Sequence, residues 1–161
     1  MPHIDVMIEH ERWNELGLDS LAQRAFSASF DHLGLSADFE ISLLGCDDAR
    51  ISKLNAEFRG KPKPTNVLSW PAVDLSNAAP GSAPEKADPS QHELGDIALA
   101  FETCRREAEE FQKPFEDHVC HLLVHGLLHL LGYDHENDLD AALMEGEERQ
   151  ILAKMGIADP Y

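Results

Sequence analysis

The sequence predicts an α+β fold, in which a small mixed sheet of four strands packs against about five helices in a single domain. Three observations lead there. The 161 residues are the length of one ordinary domain and are enough to bury a core. Four short segments have strand character, and longer stretches between and after them carry apolar residues at helical spacing. The chain also opens in the order strand, helix, strand, which gives a parallel, right-handed crossover.

The first strand is "HIDVMIE", residues 3–9, which alternates in hydropathy. Asp19 or Ser20 can cap the helix that follows, with Leu21, Ala25, Phe26 and Leu33 on its apolar stripe and Gly34 closing it. "DFEISLLG", residues 38–45, is the second strand. Asp47 caps the next helix, whose buried stripe would be Ile51, Leu54 and Phe58. Gly60 stops it, and Pro62 and Pro64 bar its continuation. "TNVLSW" (65–70) and "LGDIALAF" (94–101) are the third and fourth strands. Between them "SNAAPGSAPEKADPSQH", residues 76–92, is rich in proline, alanine and small polar residues. It is expected to be a mobile insertion loop with no structure of its own, rather than a domain boundary. Helices are then predicted over 102–112, over 115–131 with Pro114 suited to its first turn, and over 139–154 with Leu143, Ile151 and Leu152 inward.

The opening residues are polar too early for a signal peptide, and no apolar run approaches the ~18 residues of a membrane helix, so a soluble, cytoplasmic protein is expected. Cys46, Cys104 and Cys120 have no paired spacing, which fits a reducing compartment and three small buried hydrophobes. A net charge of -17 argues against a surface built broadly for nucleic acid, and DNA is not an expected partner. The basic residues are concentrated, however. Arg50, Lys53, Arg59, Lys61 and Lys63 lie close together against the single acid Glu57, whereas the chain from Asp134 onward is mostly acidic.

The strongest motif is "HGLLHLLGYDH", residues 125 to 135. A helix advances ~100° per residue, so His125 and His129 share a face one turn apart. On a continuing helix His135 would fall ~9 Å further along and ~120° off that stripe. Gly132 can end the helix in a left-handed conformation and turn the chain back, which brings His135 towards the other two. Three neutral imidazoles suit one zinc ion per chain and leave a fourth tetrahedral position for water, as catalytic rather than structural sites do. His118 and His121 continue the stripe too far back to reach the same ion; they either line a cleft or are simply exposed, and the second suits them best. Asp134 can orient a ligand as a neighbouring acceptor, or simply form the turn. The spacing matches that of metzincin peptidases, but the position of their glutamate base is Gly126 here, which makes a peptidase a poor candidate.

The same eleven residues resemble the zinc-binding motif of the YbeY family of bacterial endoribonucleases. "LNAEFRGKPKPTNVLSWP" and "LGDIALA" are similar to further segments of that family, and the resemblance covers nearly all of the chain outside 76–92. One departure is Asn66, where the family usually has aspartate. The resemblance implies metal ligation by His125, His129 and His135 and a functional Arg59. It also implies a role in ribosomal RNA maturation at the 16S 3′ end, in ribosome quality control, and with the small ribosomal subunit and its assembly factors. Arg59, with Lys61 and Lys63, would hold the phosphates of single-stranded RNA lying between the histidine helix and residues 59–66. The alternatives are a zinc metallopeptidase-like hydrolase and a non-catalytic ribosome-binding module.

Overall fold

The computed structural model describes residues 2–35, 38–76 and 79–161. In chain order the elements are β1 (His3–Ile8), α1 (Arg12–Leu16), α2 (Leu18–Leu33), β2 (Glu40–Cys46), α3 (Asp48–Arg59), β3 (Val67–Pro71), a 3-10 turn (Pro89–Gln91), β4 (Glu93–Ala100), α4 (Phe101–Glu110), α5 (Phe115–Leu130) and α6 (Asp138–Lys154). The sheet order is β1-β2-β4-β3; β1, β2 and β4 run parallel, and β3 is antiparallel at the edge. This is the mixed four-stranded sheet that the strand pattern predicts, including the parallel pairing of β1 with β2.

The described residues hold six α-helices, where about five are expected. The additional one, α1, is polar and buries a single side chain, Trp13, whose indole N–H donates to the Cys46 carbonyl at 2.9 Å. One anchor leaves no periodic signal. Gly17, at φ 75°, ends α1 and opens α2, so Asp19 and Ser20 lie inside the first turn of α2 and do not cap it. In α3, by contrast, Asp47 caps as expected, accepting from the Arg50 N–H at 2.8 Å.

The main core lies between the sheet and α2, α5 and α6. Helix α5 is central, with Leu123, Val124, Leu127 and Leu128 fully buried, and its one polar stripe is the row of histidines. The opposite sheet face carries a small cluster, Cys46, Ile51, Leu68, Ala98 and Ala100, beneath α3. That cluster does not reach the last turn of α3. Phe58, expected in the buried stripe, is therefore 60% exposed and rests edge-on against Trp70. In α6 the inward stripe is Met144, Glu148, Ile151 and Leu152, with Leu143 only partly buried.

Residues 77 and 78 of the 76–92 segment lie outside the described residues. The remainder is not without structure. Ala87 is buried in the main core, the Gly81 N–H donates to Asp140 on α6 at 2.8 Å, and the Glu85 N–H donates to the Leu75 carbonyl at 3.2 Å. A methyl group and backbone hydrogen bonds make these contacts, and neither leaves a hydropathy pattern. All three cysteines are free and buried, and burial pushes the Cys46 and Cys120 thiols up to about 12. Among the described residues no helix is long and apolar enough to cross a membrane.

Candidate metal centre and cleft

Helix α5 presents His125 and His129 on one face, with their Nε2 atoms 3.1 Å apart. The helix ends at Leu130, and Gly132 takes φ +101° to reverse the chain. A side chain there would meet the Leu75 carbonyl carbon at 2.7 Å, so glycine is required for space as well as conformation. The turn brings the His135 ring to centroid distances of 5.0 Å from His129 and 5.4 Å from His125. One nitrogen from each of the three lies within 4.8 Å of the others.

The donor set fits a divalent ion. Two imidazole nitrogens on a tetrahedral zinc stand roughly 3.3 Å apart, close to the separation seen between His125 and His129. Burial, followed by repulsion from His125 and His135, lowers His129 to about 4, so its ring is neutral at pH 7 with a lone pair to give.

Asp134 Oδ1 accepts the His135 backbone N–H at 2.8 Å and so fixes the turn. Arg59, in the last turn of α3, lines a cleft of about 530 Å³ together with His129, His135, Asp134, Asp74 and Ser69. The fold thus brings Arg59 and the histidine motif, far apart in sequence, onto one cavity. Lys61 and Lys63 are exposed on the turn after Arg59, whose backbone is tied down by the Asn55 amide donating to the Lys63 carbonyl at 3.0 Å.

Several relationships escape sequence reasoning. Gly126 is buried facing the sheet, and a Cβ there would lie 3.3 Å from Ile97. Any side chain at that position points into the core and away from the cleft. Glu148 is fully buried, with Oε1 2.6 Å from His125 Nδ1 and Oε2 accepting the Tyr161 hydroxyl. A glutamate within the apolar stripe of α6 was the available signal. His118, expected to be unremarkable, is 4% exposed and pairs with Glu107 at 2.9 Å. His121, 3.4 Å from Glu148, joins His125 and Glu148 in a second group of possible ligands. Those atoms are already engaged with one another and with Tyr161, which makes the three-histidine group the better ion site.

The model of the family described as "Endoribonuclease YbeY" matches residues 4–156 of the chain. Among curated proteins, "Endoribonuclease YbeY" of Paracoccus denitrificans is 57% identical over 158 residues, covering 98% of this chain and 89% of that protein. The same-named protein of Ruegeria pomeroyi is 58% identical over 162 residues, covering 98% and 97%. Among solved structures, the solution structure of TM1509 from Thermotoga maritima matches with a TM-score of 0.56 at 21% identity, covering 99% of this chain and 98% of that one. At that identity it supports the fold alone.

Proposed function

Because the chain belongs to the endoribonuclease YbeY family, we propose that it is a zinc-dependent endoribonuclease that cuts single-stranded RNA. Its place would be the maturation of ribosomal RNA at the 16S 3′ end and ribosome quality control, in the cytoplasm. The observation that carries the reading is the shared cleft, where Arg59 faces a cavity walled by His129 and His135.

His125, His129 and His135 would hold the zinc. Once bound, it supplies Lewis-acid stabilisation of charge at the scissile phosphate. Arg59 binds and orients a phosphate with its forked guanidinium, and Lys61 and Lys63 hold neighbouring phosphates on the exposed turn. Asp134 keeps His135 in place through the backbone. The cleft also carries Asp74 and Glu136, and the chain has a net charge of -17, so the RNA needs more attraction than this surface provides alone. The small ribosomal subunit and its assembly factors are the partners that would deliver it.

A peptidase is disfavoured because the position of its glutamate base is turned into the core against Ile97. The deciding experiment incubates the zinc-loaded protein with single-stranded RNA, a matched duplex and an unstructured polypeptide. Cleavage of the single strand, weaker attack on the duplex and intact polypeptide are expected. Cleavage should weaken as salt rises. Polypeptide hydrolysis that disappears in His129→Ala would overturn the assignment, and zinc uptake and ribosome binding without turnover would leave a binding module.

A further inference from the structure

The carboxylate of Glu148 is fully buried and has three donors around it. His125 Nδ1 lies 2.6 Å from Oε1, His121 Nε2 lies 3.4 Å from the same oxygen, and the Tyr161 hydroxyl donates to Oε2. Three donors converge on its two oxygens, the arrangement that an ionised carboxylate requires. An ionised carboxylate only accepts, so the proton of His125 sits on Nδ1. Its Nε2 then carries the lone pair, and Nε2 is the atom that faces His129.

Tyr161 is brought to Glu148 by a segment that folds back after α6. The segment is held by polar contacts: Arg149 pairs with Asp159 at 3.1 Å, the Lys113 ammonium donates to the Pro160 carbonyl at 3.1 Å, and the Tyr161 N–H donates to Asp159 at 2.9 Å. The Arg149 guanidinium also lies 5.3 Å from the centroid of the Tyr161 ring. Tyr161 is 54% exposed as a residue, and its ring meets the His121 ring edge-on at 5.4 Å, so deep apolar burial does not explain its placement. What the fold-back delivers is the hydroxyl.

We propose that Glu148 and Tyr161 are positioning residues of the metal centre: Tyr161 fixes the buried Glu148 carboxylate, which locks His125 in the tautomer that offers Nε2 to the ion. The proposal rests on the three-histidine ligand set above and extends it from the ligands to what prepares them. Neither residue touches the ion or the RNA. Their effect is on how tightly the ion is held and how rigid the site is before it arrives.

The test measures zinc affinity by competition with a chromophoric chelator in the full chain, with Tyr161→Phe and Glu148→Gln compared to wild type. Nitrogen-15 shifts of the His125 ring are recorded in the metal-free proteins. Glu148→Gln is expected to weaken zinc on the order of 10- to 100-fold, as loss of a ligand's hydrogen-bonded acceptor generally does, and Tyr161→Phe by a smaller factor. The ring shifts should report Nδ1–H in wild type and a mixture of tautomers in the variants. Tyr161→Phe removes one oxygen from a half-exposed ring, so it folds and decides the matter even if Glu148→Gln does not. Wild-type affinity and an unchanged tautomer in Tyr161→Phe overturn the proposal. So does zinc that disappears from Glu148→Gln yet persists in His129→Ala, which would make Glu148 a ligand. A wild-type chain that takes up no zinc instead overturns the ligand set beneath.

Discussion

The Asn66 amide donates to the Glu107 carboxylate, 3.0 Å from Oε1 and 3.3 Å from Oε2, while its own Oδ1 accepts the Val67 N–H at 2.7 Å. The asparagine that departs from the family's usual aspartate is therefore matched to its neighbour. Burial raises the Glu107 carboxyl, but hydrogen bonds from His118 and Asn66 more than offset this and leave it below its ordinary value. Asn66→Asp replaces a donor with a second carboxylate. It should destabilise the fold by about 1–3 kcal/mol at pH 7. The loss should shrink as pH falls towards about 4, because a close carboxylate pair takes up one proton above the ordinary carboxyl value. Thermal melts at the two pH values check this, and an equal loss at both would contradict it.

Arg59→Ala should leave zinc content at wild-type stoichiometry and slow RNA cleavage. Removing one electrostatic donor from a reacting phosphate costs about 2–4 kcal/mol of transition-state stabilisation, on the order of 30- to 1000-fold in rate. Single-turnover kinetics beside elemental analysis separate the two effects. Undiminished turnover would reduce Arg59 to a cation at the end of α3.

At Gly132, alanine meets both a positive φ of 101° and the Leu75 backbone at 2.7 Å. The expected result is a loss of about 2 kcal/mol or more, with His135 displaced and zinc binding weakened. Melting temperature and metal stoichiometry measure the two consequences. A variant with wild-type values for both would show that the turn tolerates a side chain.

His129 makes the metal-free protein sensitive to acid. Its ring is lowered from an ordinary 6.5 to about 4 by burial and then by His125 and His135, so between those values the unfolded chain binds the extra proton. Stability should fall as pH drops from 6.5 towards 4. Denaturant titrations of the metal-free protein across that window should show the decline, and a His129→Ala variant should show less of it. Elemental analysis of the same variant should find the zinc lost. A parallel decline in the variant would assign the acid sensitivity elsewhere.

The histidine motif was readable in the sequence because its geometry is local: a helix turn sets His125 against His129, and one glycine returns His135. The four strands and the cap at Asp47 were readable for the same reason. Glu148 and Tyr161 were not, because packing of α5 on α6 alone brings Glu148 to His125, and Tyr161 reaches Glu148 only through the fold-back after α6. Phe58 misled because periodicity reports that a helix has an apolar face, not how far its partner extends beneath it. The segment after β3 gave no signal, since Ala87 and the Gly81 N–H dock without any hydrophobic run.

All three candidate ligands lie between residues 125 and 135, so joining them encloses very little chain. A disordered chain can chelate zinc through the same histidines at small loop-closure cost. Since an ion that also binds the unfolded state stabilises the native one by less than its affinity implies, zinc should raise the melting temperature only modestly.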